Sequence, residues 1–411
     1  MKNILLLLVL ICSVTLYSQN KSAYLRQNRY DLHNPEFVFP QNDFNIIGCG
    51  AYHGSAKTYD AEMLIIKSLK KQNALDYYIS ETNFSQAFYF QKFLETGDEE
   101  LLKELVLAFQ TIVGQEGTIE TFEHWKKLRA LNQLYPDNPI TVIGFDVINE
   151  YKFPIKHLLH LVSDIQNWKL KDELIKISSS DNYDFSIENE ETTQLLKRFI
   201  NDYELNKSTY THQLKDSLGF HHILKNINYT LQEHRDREKI IFENYIYLNK
   251  LYELSSKKQF AKYGFFHLQK EREGEYPSFF TRLIEEGIYN RNQVITVMGY
   301  LINSKVLWDK VYNQKGGYQN YTIEKGYGIG DYWKEYFKGI RNLKRNKLSD
   351  LTLFKLNAFN SPYRKGVDLI EVKLLLRKGN KKELKGKATT DFIDYAVLID
   401  NSENQIPIEE M

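Results

Sequence analysis

The sequence predicts an α/β fold: a mostly parallel central sheet flanked by helices, with a helical insertion or cap over about residues 154–257. Three observations predict it. Short apolar runs of strand length alternate with longer segments whose apolar residues recur at helical spacing, the order that builds βαβ units. The first strand-like runs each end in a small or polar residue, Gly50, Glu81 and Asp146, as parallel strands do where they open onto loops. No Pro/Ser/Gly-rich linker divides the chain, so one α/β domain over residues 20–411 is expected.

Met1 and Lys2 precede an apolar run from Ile4 to Leu16 and a polar exit from Tyr17 to Asn20. A run this short with a basic start reads as a signal peptide over residues 1–19, which makes the protein exported, to a periplasm or the medium. Bulky Ile11 ahead of Cys12 argues against a lipid anchor there. Cleavage leaves Cys49 as the single cysteine, so no intramolecular disulfide is expected. Buried and inert is the expected state of that thiol.

Phe44 to Gly50 then reads as a strand and Thr58 to Lys71 as a helix, with Ala61, Leu64, Ile65 and Leu69 on one face. Asp76 to Glu81 is a second strand. Helices follow at Gln86–Leu94, Asp98–Ala108 with Asp98 as N-cap, and Ile119–Leu134. Pro139 to Asp146 is a third strand. From Pro154 to about Lys257 the chain is charged and mostly helical. Strand character returns at Gln259–His267 and Gln293–Met298, with Ser278–Glu286 helical between them, and again at Leu351–Leu356 and Tyr395–Asp400. The Lys-rich stretch from Leu376 to Lys387 reads as a solvated loop or hairpin.

Composition narrows the function. Lys and Arg total 54 against 53 Asp and Glu, a net charge of +1, which leaves no single-sign field for a basic nucleic-acid binder. Hydrophobic residues make up 42% and Pro numbers only 8, so a folded core is affordable and disorder is excluded. The 29 Tyr and 24 Phe are read as core and sheet-face residues. No apolar stretch after the signal approaches a membrane span, and the partner expected is a small-molecule substrate. The oligomeric state is not readable, because no heptad run stands apart from the core.

In open α/β sheets, ligands bind where the C-terminal ends of the strands converge. On that rule His53, Glu81, Asp146 and His267 share one rim. His53 lies beyond Gly50 and is followed by Gly54 and Ser55, a glycine-rich exit that allows close backbone approach. No Gly-x-Ser-x-Gly elbow surrounds Ser55, so it is a supporting residue and not a nucleophile. Two imidazoles beside carboxylates can hold a water and accept its proton. His53, Glu81 and His267 are equally a ligand set for a divalent metal. The pair His221 and His222 is not, because adjacent helical residues point about 100° apart.

The segments Ile46 to Ser55, Ser80 to Phe84, His124-Trp125 with Arg129 and Asn132, and Val142 to Asp146 resemble the erythromycin esterase-like family in order, spacing and kind. Arg237-Glu238 with Asn244, Gly264 to His267, and Phe392 with Asp394 and Tyr395 extend the likeness over most of the chain after the signal. The resemblance implies an α/β hydrolase unrelated to serine esterases, a response-to-antibiotic role by association, and a water activated by His53 with Glu81 and His267 beside it. Arg237 and Asp146 would support that site. The family motif has Glu three residues before the first His and four after it, whereas this chain has Gly50 and Lys57. The paired Gly-x-x-His segments with Glu81 also resemble the Tiki/TraB metal-dependent proteases. Three readings follow: an exported ester or lactone hydrolase, a metal-dependent peptidase, and a ligand-binding protein that has lost the reaction.

Overall fold

Along β-strands, successive side chains point to opposite faces, and the strands here use both. Ile47, Tyr78 and Phe260 enter one apolar core with Ile65, Phe90 and Trp125. Their neighbours Ile46, Ile79 and Ala261 enter a second with Tyr245, Phe279 and Phe280 on the other side of the sheet. The computed structural model describes residues 21–50, 52–163, 168, 170–180, 183–325 and 330–411. The expected signal peptide lies outside the described residues.

The strands are β1 (Arg29–Asp31), β2 (Ile46–Gly50), β3 (Tyr77–Ser80), β4 (Thr141–Gly144), β5 (Gln259–Lys262), β6 (Val294–Ile302), β7 (Lys305–Tyr312), β8 (Tyr318–Lys325), β9 (Asp331–Tyr332), β10 (Glu335–Phe337), β11 (Leu351–Lys355), β12 (Val372–Leu374) and β13 (Tyr395–Asp400). Eight of them form one sheet in the order β1-β11-β13-β6-β2-β5-β3-β4. From β13 to β4 every pairing is parallel. Only the β11 and β1 edge runs antiparallel. All nine residues of β6 are buried, as a parallel strand covered on both faces must be. Gln259 of β5 stands level with both Ile46 of β2 and Tyr77 of β3, so these three strands emerge side by side on one rim.

The flanking helices are α1 (Ala56–Lys71), α2 (Phe84–Thr96), α3 (Glu99–Phe109), α4 (Ile119–Leu134), α5 (Lys152–Leu161), α6 (Lys171–Ser178), α7 (Glu190–Leu205), α8 (Ser217–Thr230), α9 (Arg237–Tyr252) and α10 (Phe279–Glu285). Asn83 and Gln86 form a reciprocal capping box that starts α2 right after Glu81. Asp98 accepts from Leu101 N at 3.1 Å and caps α3. Within the segment expected to be helical, α5 to α8 enclose a third apolar core, with Ile155, Leu196, Phe199 and Ile223 around Trp168.

Several local expectations differ from the fold. Strand β5 stops at Lys262, short of the expected Gln259–His267 run, and Phe265–Leu268 is a 3-10 turn, so His267 follows the strand. The β7–β8 hairpin and the small β12-β10-β9 sheet were not expected. No helix among the described residues is long and apolar enough to cross a membrane.

Candidate functional site

Because β5 inserts between β2 and β3, the loops that follow the adjacent strands β2, β5, β3 and β4 deliver His53, His267, Glu81 and Asp146 in that spatial order. Glu81 is 1% exposed and sits between the two imidazoles. Its Oε2 is 3.8 Å from His53 Nε2 and its Oε1 is 3.6 Å from His267 Nε2. These gaps are too long for direct hydrogen bonds and short enough for one bridging water. The rim residues predicted from sequence are therefore brought together.

Glu81 is held from two other directions. Arg237, the first residue of α9, donates from Nη2 to Glu81 Oε1 at 2.9 Å, and Gly264 N donates to Oε2 at 3.0 Å. The same guanidinium donates to Asp146 through Nε at 2.8 Å and Nη2 at 2.6 Å, a two-point clamp that fixes its plane. Burial opposes the Arg237 charge, but Asp146 and Glu81 outweigh it and hold the guanidinium above its ordinary pKa. Asn244 of α9 donates to Phe145 O at 2.9 Å, which ties the residue before Asp146 to the same helix.

Each imidazole has its own acid. His53 Nδ1 lies 2.8 Å from Glu116 Oε1, and His267 Nδ1 bonds Glu238, the second residue of α9. Glu116 belongs to a 3-10 turn, Gly114–Glu116, far from the rim in sequence. That turn is fastened by Gln115 Nε2 to Trp308 O at 3.0 Å and by Lys310 Nζ to Gly117 O at 2.6 Å, both from β7. Buried Lys262, at the end of β5, bonds Glu116, and Tyr59 and Thr121 donate to its other oxygen. Burial raises the Glu116 carboxyl, yet Lys262 and His53 outweigh it and hold it well below the usual carboxylate range. An ionised Glu116 can only accept, so His53 Nδ1 is the donor in this bond and Nε2 is the ring nitrogen turned toward Glu81. Burial lowers the His267 imidazole, but the bond to Glu238 and the charge of Glu81 outweigh it and raise its pKa.

The remaining candidates lie around this core. A Cβ on Gly264 would sit 3.3 Å from His53 Nε2 and 3.5 Å from His267 Cδ2, so its missing side chain leaves the space between them open. Gly54 has φ +87, and a Cβ there would lie 2.2 Å from Leu307 O. Only glycine fits that turn. A Cβ on Gly50 meets Leu268, Tyr263 O and Met298 at 3.1 to 3.3 Å, which leaves no room for a glutamate. Lys57 points away and donates to Asp350 Oδ2 at 2.6 Å and Asp400 O at 2.9 Å. Ser55 is buried and bonded to Ser402 at 2.7 Å, so it supports the loop and does not face the rim. His221 and His222 take no part: one bonds Tyr203 and the other stacks on Tyr247.

Sequence reasoning missed Glu116, Lys262 and Tyr263. The Tyr263 hydroxyl is buried with no hydrogen-bond partner among the described residues, and its ring lies edge-on to His267 at 5.6 Å. Behind His53 is an enclosed space of about 20 Å³ lined by Tyr59, Glu62, Glu116 and Lys262, enough for one water. A separate groove of about 660 Å³, the size of a small-molecule site, is lined by Asn149, Glu150, Tyr183 and Arg235 and by none of the rim residues. Arg235 and Asn149 stand two and three residues from Arg237 and Asp146, which places that wall within about 11 Å of the clamp.

A divalent metal fits this arrangement poorly. Both Glu81 oxygens already accept hydrogen bonds, and Arg237 brings a fixed positive charge to the carboxylate a metal would need. Among the described residues no group of three His, Cys, Asp or Glu has metal-binding geometry.

No protein-family model matches the chain, and no curated sequence does. Solved structures do. A structural-genomics protein from Bacillus cereus matches with a TM-score of 0.61 at 13% identity, over 95% of this chain and 99% of that one. A structure described as a succinoglycan biosynthesis protein matches at 0.63 and 13%, over 95% and 98%. An erythromycin esterase variant in its open conformation matches at 0.58 and 12%, over 91% and 97%. The chain has the erythromycin esterase-like fold, and at these identities the likeness is one of fold.

Proposed function

We propose that the protein is an exported hydrolase that cleaves an ester or lactone of a small molecule with a water activated by His53. The observation that carries this reading is the pairing of each rim imidazole with its own carboxylate, Glu116 for His53 and Glu238 for His267, around the shared Glu81. In an open sheet, such convergence at one rim is where chemistry is done.

The chemistry follows from the proton positions. A water between His53 Nε2 and Glu81 gives its proton to Nε2 as its oxygen attacks the carbonyl carbon, and Glu116 stabilises the imidazolium that forms. His267, held in its charged form to higher pH, donates toward the developing oxyanion. When the carbon–oxygen bond to the alcohol breaks, the proton on His53 passes to the leaving oxygen, so one ester and one water become one acid and one alcohol. Arg237, itself clamped by Asp146, holds Glu81 stationary. The groove lined by Asn149 and Arg235 would hold the remainder of the substrate.

Incubating purified protein with a panel of esters, lactones and short peptides, with and without added Zn²⁺, Mn²⁺ or Co²⁺, tests the proposal by mass spectrometry of the products. Acid and alcohol formed without metal support it. Peptide cleavage that requires metal overturns it in favour of a peptidase. Silence from folded protein overturns it in favour of a binding role.

A further inference from the structure

A strongly one-signed stretch of charge lies far along the chain from the histidine rim. Residues 372–387 hold seven Lys or Arg and one carboxylate, Glu383, a net +6 in a protein whose total is +1. Lys373, Arg377, Lys378, Lys381, Lys382 and Lys385 line a groove of about 680 Å³. Lys373 and Lys387 pair with Glu371 and Glu271, and the other five cations have no ion-pair partner among the described residues. Charges left unpaired on one wall attract an anionic surface.

Apolar side chains project beside these cations. Leu375 is 48% exposed and Leu376 is 96% exposed, in a turn where Leu376 takes φ +61, a backbone state that branched and bulky residues rarely adopt. Leu375 N donates to Lys334 O at 2.7 Å, which sets the pair against the turn between β9 and β10, where Trp333 is 65% exposed. One tryptophan and two leucines thus form a small apolar tip ringed by Lys334, Arg377 and Lys378. Tryptophan at headgroup depth, aliphatic side chains below it and cations around it are what a lipid interface selects. Nucleic acid would use the cations and has no use for adjacent exposed leucines.

We propose that this tip docks the protein on bilayers bearing anionic phospholipid headgroups, with the phosphates in the lysine groove and Trp333, Leu375 and Leu376 inserted at the interface. The other end of the small sheet packs Phe337 on Phe265 with ring centres 5.6 Å apart, two residues from His267. Docking therefore brings the histidine rim close to the membrane surface.

Co-sedimentation of the full chain with vesicles of phosphatidylcholine alone, or with 30% phosphatidylglycerol, tests this. Binding is expected only to the anionic vesicles and is expected to weaken in 0.5 M salt. Each juxtamembrane cation contributes roughly fivefold to partitioning, so Lys378→Gln, Lys381→Gln and Lys382→Gln together are expected to weaken it on the order of 100-fold. Leu376→Asp is expected to abolish binding while leaving thermal unfolding unchanged. The proposal is overturned if folded wild-type protein ignores anionic vesicles, if Leu376→Asp binds as wild type does, or if single-stranded RNA binds more tightly and independently of Leu376.

Discussion

Glu116→Gln separates structure from chemistry at His53. The carboxylate fixes the His53 proton on Nδ1 and neutralises Lys262, which is only 6% exposed. The amide keeps the shape and an acceptor oxygen but loses the charge, so the ammonium is left buried beside Tyr59 at 3.0 Å without its paired carboxylate. Removing one partner of a buried ion pair costs about 3–5 kcal/mol, which urea denaturation reads directly. Catalysis falls further, because the amide turns its oxygen to Lys262 and His53 Nδ1 but carries no charge to stabilise the imidazolium that forms when Nε2 takes the proton. General-base catalysis is worth roughly 10²- to 10⁴-fold, and a loss of that size in kcat/KM is expected. Adding Lys262→Met removes the stranded charge. The double variant is expected to regain most of the lost stability and none of the lost activity. Recovery of activity in the double variant, or an unchanged rate in the single one, would refute the role given to Glu116.

Three other outcomes are expected. Gly264→Ala places a methyl 3.3 Å from His53 Nε2, and kcat/KM should fall on the order of 100-fold with little change in stability, by steady-state kinetics. Glu238→Gln removes a group that raises the His267 pKa, so imidazolium is lost at lower pH and the alkaline limb of the pH–rate profile should move toward acid. Burial raises the Glu62 carboxyl from 4.5 to about 7, so its folded pKa lies above its unfolded one. Its contribution is therefore complete below pH 4.5, declines as pH rises to 7 and is level above that, a change of about 3 kcal/mol that Glu62→Gln should remove from a stability–pH curve.

The rim was legible in the sequence because parallel strands leave a local signature. Apolar runs ending at Gly50, Glu81 and Gly144-Phe145-Asp146 locate strand ends without any knowledge of pairing. Glu116 left no such trace. It occupies a three-residue turn before a helix and reaches His53 only because β7 fastens that turn, a contact between residues nearly two hundred positions apart. Gly50 and Lys57 suggested that His53 lacked an orienting acid, yet the acid arrives from another element. The β7–β8 hairpin escaped notice because β8 has no buried face and so no two-residue alternation to read. The strand-like run up to His267 is shorter than its sequence suggests, stopping at Lys262, where Gly264 N turns to Glu81 instead of continuing the ladder.

The central claim is that His53 activates water without a metal. Initial rates of wild type and His53→Ala, both stripped with EDTA and compared on the most responsive ester or lactone, test it most directly. The account predicts that wild type retains full activity after stripping and that the variant loses at least 10²-fold. Equal rates in the two proteins, or a wild type silenced by EDTA and restored by added metal, would contradict it.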